Sequence, residues 1–341
     1  MGQKIKFGII GTGAIAAQHA AAIGECEAAE LVAVCSSNEE RARSAEDKFR
    51  VKAYSNLDEF LAHPAMEVVC ICTASGRHME AAVAVARAAK HILVEKPIEI
   101  NLERADRIIE ACKENGVVLG VVFQNRFNKG YLQLKQAVLE GKLGKLLMGN
   151  AYIKWYREEA YYQNSDWKGT YAGDGGGALI NQGIHTIDLL LDIMGEVEEV
   201  YGQVKTVLHK IEGEDLGTAV VNFKNGAMGN ITAGTSLFPG YPERLEVYGT
   251  AGSVILEAGK VVAWNIKGQE NTSPAILIEK SSGAADPMAI GHQLHLLQIM
   301  DMVRAIRENR KPLVTGEIAK QSLALIRGIY RSSREGRSVL L

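Results

Sequence analysis

The chain has 341 residues, of which 47% are hydrophobic and 23% charged, and its formal net charge is −2 with a pI near 6.5. This composition is typical of a soluble globular protein, the length favours two domains, and the charge gives no sign of the basic face that nucleic acids require. No apolar run approaches the roughly 20 residues that span a bilayer, and the first residues lack a secretion signal, so we expect a cytoplasmic protein that binds neither nucleic acid nor membrane.

Residues 5–120 alternate short apolar runs with amphipathic helical patterns. Strands are predicted at KFGII, ELVAVCS, VVCICT, HILVEK and VVLGVVF, with helices over Ala14–Ile23, from Glu39, over Met79–Ala89 and over Leu102–Asn115. Continuous apolar strands separated by helices indicate a parallel sheet covered on both faces. With right-handed crossovers this is a doubly wound Rossmann sheet that binds ligands at the carboxyl ends of its strands. We assign residues 1–122 to this dinucleotide-binding domain.

The pattern changes after Phe123. A helix over Lys129–Glu140 is followed, between Val197 and Val262, by several strands with little helix between them. NG and AG steps between these apolar runs are hairpin signals. We therefore predict an α+β domain over residues 123–341, with a largely antiparallel open sheet and closing helices at Pro287–Asn309 and Ile318–Glu335. This domain would bind substrate and mediate oligomerisation.

A glycine-rich turn follows the first strand in KFGIIGTGAIA. Gly11 permits a tight turn, Gly13 lets backbone N–H groups approach a pyrophosphate, and Ala16 lets the helix lie close to the strand. The alternative is a plain glycine turn. The predicted cofactor contacts here are Gly11, Thr12, Gly13, Ala14 and Ile15.

The residues at the end of the second strand determine whether the chain binds the ribose hydroxyls of NAD or the 2′-phosphate of NADP. NAD-binding proteins usually have an acidic residue there, but this chain has Ser36, Ser37 and Asn38, with Arg41 one helical turn later. Hydroxyls with a nearby guanidinium suit a 2′-phosphate, which favours NADP slightly over NAD. The alternative is that Arg41 belongs to a solvated helix face and the two serines hold the ribose alone. The cofactor prediction therefore stays NAD or NADP.

Further cofactor contacts are expected at the ends of the third, fourth and fifth strands. Thr73 and Ala74 would pass near the nicotinamide, and His78 is more typical of a cap or packing residue than of a catalyst. The predicted set is Thr73, Ala74, His78, Glu95, Lys96 and Gln124.

The stretch HILVEKPIEI places Lys96 at the carboxyl end of a parallel strand. Pro97 indicates a fixed turn, because proline restricts its own φ and the residue before it. A lysine here would stand in the crevice where a nicotinamide lies. The alternative is an ordinary surface lysine at the end of a strand.

A second group of candidates lies in DGGGALINQGIHTIDLL. Asn181, His185 and Asp188 fall at i, i+4 and i+7, which places them on one face of a helix. His185 could donate or accept a proton, with Asn181 as its orienting partner. The alternative is that these residues only cap and pack.

Other polar and aromatic residues could hold a sugar substrate. Arg126 and Lys168 are candidates for a carboxylate or phosphate, and the stacking candidates are Trp155, Tyr156, Tyr161, Tyr162 and Trp167. The alternative is that these aromatics form the hydrophobic face of the sheet. We expect no metal site, since surface or interface roles are predicted for His292 and His295 and the five cysteines are interpreted as buried thiols.

GTGAIA, EKP and GGGALINQGIHTIDLL, in this order along the chain, resemble the motifs of the Gfo/Idh/MocA family of oxidoreductases. The resemblance covers essentially the whole chain and implies a bound NAD or NADP and a reaction on sugars or polyols. Carried over residue by residue, it implies that Lys96 and His185 are catalytic. Many members have aspartate where this chain has Asn181, and the stretch is more similar to nucleotide-sugar 3-dehydrogenases acting on UDP-N-acetylglucosaminuronate. That branch generally uses NAD, whereas SSNEER looks more like the NADP-type loop of glucose–fructose oxidoreductase.

The predicted function is hydride transfer between a nicotinamide and a secondary hydroxyl of a sugar, sugar nucleotide or polyol, with carbon 3 as a candidate position. A histidine, with an ordinary pKa of about 6.5, is the easier base, while a lysine would need its pKa of about 10.4 lowered by about 3 units. The predicted substrate contacts are Lys96, Arg126, Tyr156, Trp167, Lys168, Asn181 and His185. Alternatives are a redox-neutral, NAD-dependent glycoside-cleaving enzyme and a non-catalytic dinucleotide sensor. The open sheet face predicts a homodimer or homotetramer.

Overall fold

The structure is a computed structural model that describes residues 3–269 and 291–341. Its residues group into two compact units, one made of residues up to Gln124 together with Gly291–Lys320, and the other of residues 125–269 and 321–341. None of the described helices is both long enough and apolar enough to cross a membrane. The predicted division at residues 122 and 123 remains our proposal for the domains. The compact units differ from it by the boundary at Gln124 and by the segment Gly291–Lys320.

The first unit contains the predicted parallel sheet. Its strands are β1 (Ile5–Ile10), β2 (Ala29–Cys35), β3 (Lys52–Tyr54), β4 (Val68–Ile71), β5 (His91–Val94) and β6 (Leu119–Val121). They run in the order β3-β2-β1-β4-β5-β6, and every neighbouring pair is parallel. This order reverses direction between β1 and β4, which is the switch point where doubly wound sheets bind ligands. The predicted fold class is confirmed.

Helices follow most strands of the first unit. They are α1 (Ala14–Glu25), α2 (Glu39–Phe49), α3 (Leu57–Leu61), α4 (His78–Arg87) and α5 (Leu102–Glu114). The strands are buried on both faces, as continuous apolar runs require; Phe7, Ile9, Val69 and Ile92 are all fully buried.

The second unit is built around an eight-stranded sheet. Its strands are β7 (Leu146–Lys154), β8 (Val197–Lys205), β9 (Leu216–Phe223), β10 (Met228–Gly234), β11 (Arg244–Gly249), β12 (Gly252–Glu257), β13 (Lys260–Ile266) and β14 (Val339–Leu340). The order is β13-β12-β11-β7-β10-β9-β8-β14, and all described pairs are antiparallel except β7 with β10. The prediction of a largely antiparallel sheet is confirmed.

The remaining helices are α6 (Lys129–Leu139), α7 (Ala160–Gln163), α8 (Ile184–Met194), α9 (Gln293–Arg307) and α10 (Gly316–Glu335). Helix α8 covers one face of the second sheet, where Leu190 and Met194 pack over Gly149 of β7. Helix α9 belongs to the first unit, since Ile299, Met302 and Val303 are buried in the same core as β1. Of the predicted helix Pro287–Asn309, residues 287–290 lie outside the described residues.

Candidate active site

In the first unit, the parallel strands end at a common edge of the sheet. Gly11 follows β1, Ser36 follows β2, and Lys96 stands two residues beyond β5. Because β1 and β4 are neighbours at the switch point, the glycine turn and the segment after β4 meet there. The sequence predicted this edge as the place for a dinucleotide.

The glycine turn fits closely against the end of β4. Gly11 has φ +89°, and a Cβ added there would lie 2.6 Å from the carbonyl oxygen of Cys72. Only glycine satisfies both the conformation and the space. At Gly13, in contrast, a Cβ would meet nothing within 4 Å, so the backbone at the start of α1 is open to a ligand.

The N-terminus of α1 lacks a side-chain cap, as do the N-termini of α4 and α8. Its N-cap, Gly13, provides no side-chain hydrogen bond, and its first turn has no acidic residue. Asparagine side chains cap four other helices: Asn38, Asn56, Asn101 and Asn128. The uncapped N–H groups and the helix dipole at α1 suit a pyrophosphate.

The loop after β2 has the hydroxyl and guanidinium groups that the sequence predicted. Ser36 is buried, and its hydroxyl lies 2.7 Å from that of Thr12. Arg41 donates from Nη1 to the Ser37 hydroxyl at 3.4 Å, and both side chains are exposed. The loop therefore presents donors and a positive charge, with no carboxylate among residues 36–38.

Two buried acceptors at this edge lack partners. Oγ1 of Thr73 and Oε1 of Gln124 are shielded from solvent and form no hydrogen bond to any described residue. An unsatisfied buried polar atom costs about 1–3 kcal/mol. These atoms are thus ready to bind the polar groups of a ligand.

His78 was predicted as a cofactor contact, but its ring is committed to the protein backbone. It is buried, with Nδ1 2.9 Å from the carbonyl oxygen of Pro97 and Nε2 3.2 Å from that of Thr73. Burial lowers the pKa of His78, which favours the neutral ring. His78 therefore links the turn after Lys96, where the Lys96–Pro97 peptide bond is cis, to the end of β4. We no longer include it among the cofactor contacts.

Glu95 was also predicted as a cofactor contact, but its carboxylate is buried and hydrogen-bonded within the protein. Its Oε1 lies 2.8 Å from Nε2 of His19, and its Oε2 accepts the backbone N–H of Lys96 at 3.2 Å. His295, for which a surface or interface role was predicted, is only 3% exposed and lies 4.0 Å from Glu95 Oε1. The surface interpretation of His295 is wrong, because α9 packs into the core of the first unit. We no longer include Glu95 among the cofactor contacts.

In the second unit, the triple-glycine turn before His185 is anchored to Glu214. Glu214 accepts the N–H groups of Gly177 at 3.0 Å and Leu179 at 2.7 Å, and the hydroxyl of Tyr330 at 2.9 Å. A Cβ on Gly177 would lie 1.9 Å from the Glu214 carbonyl oxygen, so this close approach requires glycine. Burial raises the pKa of Glu214 to about 7.

The segment that carries Asn181 and His185 is not one regular α-helix. Residues Ala178–Gly183 form a π-helical segment, and α8 begins only at Ile184. The prediction of a single face is therefore wrong: Asn181 and His185 are partly exposed, whereas Asp188 is fully buried. The extra residue of a π-helical turn rotates what precedes it, and such turns are frequent at functional sites.

Arg126 was predicted to bind a substrate anion, but its guanidinium is already paired inside the protein. Nε and Nη2 donate to Asp188 at 2.6 and 2.9 Å, and Nη1 lies 2.7 Å from Asp192. Arg126 is 3% exposed. We therefore withdraw Arg126 from the substrate site.

The amide of Asn181 is oriented by a residue that the sequence reasoning missed. Its Nδ2 donates to both oxygens of the buried Asp174, at 2.6 and 2.8 Å, while its Oδ1 accepts from Gln182 at 3.2 Å. Gln182 also donates to the hydroxyl of Tyr161 at 2.8 Å. A spacing of seven residues between Asp174 and Asn181 gave no signal for this contact.

The aromatic candidates have different surroundings. The ammonium of Lys168 lies 3.8 Å from the ring centre of Tyr161, a cation–π contact. Tyr156 packs edge-on against Phe238 with ring centres 5.3 Å apart, and Trp167 is half-buried. Lys168, Tyr161 and Asn181 thus belong to one connected polar and aromatic network, through Gln182.

Comparison with known proteins agrees with this architecture. Residues 5–123 match the oxidoreductase family with an NAD-binding Rossmann fold, and residues 131–255 match the GFO/IDH/MocA C-terminal domain. Myo-inositol 2-dehydrogenase of Thermotoga maritima is 30% identical over 347 residues, covering 99% of this chain and 98% of that protein.

Two solved structures illustrate the likeness. The WlbA dehydrogenase from Bordetella pertussis, in complex with NADH and UDP-GlcNAcA, has a TM-score of 0.88 and 32% identity, with 99% of each chain covered. Levoglucosan dehydrogenase in complex with NADH and L-sorbose has the same TM-score and coverage at 21% identity, which shows the shared fold alone.

The Rossmann unit, its glycine turn and the α+β unit define a dinucleotide-dependent oxidoreductase. The chain belongs to the Gfo/Idh/MocA family. The predicted family, the NAD-binding fold and the sugar dehydrogenase class are confirmed.

Proposed function

We propose that Lys96 and His185 are the catalytic residues of a dehydrogenase that oxidises a secondary hydroxyl of a sugar derivative. The observation that carries this proposal is the position of Lys96, directly beyond β5 at the ligand-binding edge of the Rossmann sheet. His185 follows the π-helical segment, in the first turn of α8, and the residue is partly exposed.

The proposed chemistry is a balanced oxidation. A bound nicotinamide supplies the acceptor for the hydride that leaves the carbinol carbon as the C=O bond forms. His185 accepts the hydroxyl proton, since an imidazole is a suitable base near neutral pH. Lys96 donates a hydrogen bond to the reacting oxygen. In the reverse direction the same groups return the proton to the carbonyl oxygen.

For the substrate we propose a nucleotide sugar that carries a uronate, oxidised at carbon 3. Support comes from Asn181 and its Asp174 partner, from the Lys168 ammonium over Tyr161, and from the WlbA structure, whose ligand is UDP-GlcNAcA. Tyr156 and Trp167 remain proposed stacking residues. Inositols are the competing substrates, since a relative of similar identity is a myo-inositol 2-dehydrogenase.

For the cofactor we propose a modest preference for NADP. The support is the loop after β2, where Ser36, Ser37 and Arg41 stand in place of a carboxylate. The structurally similar WlbA dehydrogenase contains NADH. The decisive measurement is therefore the ratio of kcat/KM with NADP to kcat/KM with NAD. Arg41→Ala should lower kcat/KM with NADP by about tenfold and leave NAD nearly unaffected, because an exposed contact to the 2′-phosphate is lost. Equal losses with both cofactors would contradict this assignment.

The catalytic assignment is tested by Lys96→Met and His185→Asn. Each should lower kcat by about 100-fold or more with UDP-sugars or inositols, while the midpoint of thermal unfolding stays within a few degrees. Lys113→Met, on the exposed end of α5, is the matched control and should keep normal turnover. Near-normal rates in either site variant would refute the role given to that residue.

We also propose a homo-oligomer in a reducing compartment such as the cytoplasm. Met148 and Met228 are register partners on β7 and β10 and are 37% and 50% exposed, and Tyr201 and Val220 are a similar exposed pair. Exposed apolar patches of this kind mark interfaces. The five cysteines are all free and buried. Light scattering of the purified protein should give a dimer or tetramer mass; a monomer would contradict the proposal.

A further inference from the structure

A buried cluster lies beneath the turn that carries Lys96. It consists of His19 on α1, Glu95 after β5 and His295 on α9, and we call it the His–Glu cluster. All three side chains are less than 10% exposed, and one ligand-type atom from each lies within 4.8 Å of the others. All of them belong to the first unit.

The cluster has a defined charge at neutral pH. Burial by itself would raise the pKa of Glu95, but the hydrogen bond and charge of His19 outweigh it and lower that pKa to about 2. Burial likewise lowers the pKa of His295, to about 4. Glu95 is therefore an anion, and His295 is neutral.

His19 carries the compensating proton. Burial would lower the pKa of His19, yet that pKa is raised well above 6.5 by Cys72 and Cys70 beside the ring. In addition, Nε2 of His19 lies 2.8 Å from Oε1 of the Glu95 carboxylate. Burial also raises the pKa of Cys72 to about 11, so its thiol is neutral at pH 7. Glu95 is then the anion that holds the His19 proton.

The titratable and charged groups that face Glu95 come from every element packed around it. Among the described residues they are His19, Cys72, His78, His295 and Lys96, and Cys70 acts on the His19 ring. His292, at the start of α9, acts on His295 and is itself paired with Glu25. Of the groups facing Glu95, His19 and Lys96 are the cations.

Glu95 is linked to Lys96 in two ways. It is the preceding residue, and its Oε2 accepts the Lys96 backbone N–H at 3.2 Å. The Lys96 charge also lowers the pKa of Glu95, and because electrostatic linkage is reciprocal, an uncompensated Glu95 carboxylate would make Lys96 hold its proton more tightly. The His19 imidazolium, 2.8 Å from that carboxylate, cancels this effect.

We propose that His19 is a positioning residue that neutralises Glu95 and thereby keeps the Lys96 ammonium acidic enough to donate a strong hydrogen bond to the reacting oxygen. This inference rests on the proposed catalytic role of Lys96. A buried ion pair is often no more stabilising than apolar residues of equal volume. In this role the buried His19–Glu95 pair serves the reaction as well as the stability of the fold.

The experiment measures the pH at which Lys96 of the full-length protein loses its proton. Trace acetylation of amines over a pH series, read by mass spectrometry, gives the midpoint for Lys96. His19→Gln should move that midpoint upward by about one pH unit, because the buried carboxylate loses its counter-charge. His295→Asn is the matched control: it is equally buried beside Glu95 but neutral, so it should move the midpoint much less.

The double variant His19→Gln/Glu95→Gln separates charge from packing. With carboxylate and imidazolium both removed, the midpoint should return to within a few tenths of the wild-type value, and the single variant Glu95→Gln should behave the same way. An unchanged midpoint in His19→Gln, or an equal upward shift in the double variant, would overturn the proposal.

A second measurement needs no variant. Nitrogen chemical shifts of the histidine rings in the wild-type protein should show His19 doubly protonated and His295 neutral at pH 7. A neutral His19, or stoichiometric zinc held by the His–Glu cluster, would also overturn the proposal. If Lys96→Met keeps normal turnover, the catalytic role of Lys96 fails, whereas the acetylation midpoints still decide the charge compensation.

Discussion

At the scale of single residues, the interior of the second unit contains a charge network centred on Arg126. Its guanidinium contacts Asp188 and Asp192, and Asp192 is also paired with Lys135 at 2.6 Å. Removing one member of a buried ion pair leaves the others desolvated and uncompensated. The network thus holds α8, which carries His185, against the segment before α6.

Arg126→Met should lower the free energy of unfolding by about 3–5 kcal/mol, since two aspartates lose their main partner. Urea denaturation followed by circular dichroism measures this. Arg43→Met is the control, because its pair with Glu39 is about 80% exposed and should contribute less than about 0.5 kcal/mol. A loss below 1 kcal/mol for Arg126→Met would show that the network is not buried in solution.

Gly11→Ala tests the glycine turn. The added Cβ would clash with the Cys72 backbone at a φ of +89°, so we expect a loss of about 1–3 kcal/mol in stability and at least tenfold weaker binding of the dinucleotide. Gly24→Ala, inside α1 and with open space around it, should instead stabilise by about 0.5–1 kcal/mol. Isothermal titration and thermal unfolding give both quantities. Unchanged affinity in Gly11→Ala would contradict the fit.

At the scale of elements, the predicted strands and most helices of the first unit agree with the structure. The helix predicted at Ala14–Ile23 is observed at Ala14–Glu25, and that predicted at Leu102–Asn115 at Leu102–Glu114. Local apolar periodicity and caps such as Asn101 determine such bounds. The π-helical segment Ala178–Gly183 could not be predicted, because it depends on Glu214, more than 30 residues away.

Only part of the candidate site could be predicted from the sequence, because several of its contacts join residues that are far apart in the chain. Turn residues such as Gly11 follow from local sequence, and the structure places them at the edge of the sheet. The partners of Arg126 and Glu95 are separated from them by 62 and 76 residues. The sequence does not show whether a charged side chain binds a ligand or pairs with a buried charge. Arg126 and Glu95 were therefore both predicted to contact ligands.

Tyr330→Phe tests the connection between α10 and the glycine turn before His185. Loss of the hydroxyl that donates to buried Glu214 should cost about 1–2 kcal/mol and speed hydrogen exchange of residues 175–183. Tyr201→Phe, with a 45% exposed ring, should change neither. Exchange that speeds equally across the whole second unit would argue against a local connection.

At the scale of the whole molecule, two buried carboxyl groups make stability depend on pH in opposite directions. The pKa of Glu214 is raised from 4.5 to about 7, so its contribution is complete below pH 4.5 and is lost as pH rises toward 7. The pKa of Glu95 is lowered to about 2, so its contribution is present above pH 4.5 and is lost as pH falls toward 2.

Glu214→Gln should therefore flatten the pH dependence of unfolding between pH 4.5 and 7, where the wild-type group changes stability by about 3 kcal/mol. Glu95→Gln should alter the region below pH 4.5 and also the region above pH 6.5, because His19, whose pKa is raised, loses its carboxylate partner. Urea titrations at half-unit pH intervals would resolve the two windows. An unchanged slope between pH 4.5 and 7 in Glu214→Gln would show that Glu214 is already ionised in the folded protein.

The position of α9 has a consequence for biosynthesis. Ile299, Met302 and Val303 complete a core whose other walls, from Ile5 to Val122, are made almost two hundred residues earlier. A nascent chain that has just emerged with its Rossmann strands still exposes the apolar surface awaiting α9. The apolar core of the nucleotide-binding unit is therefore completed only after α9 (Gln293–Arg307) has left the ribosome.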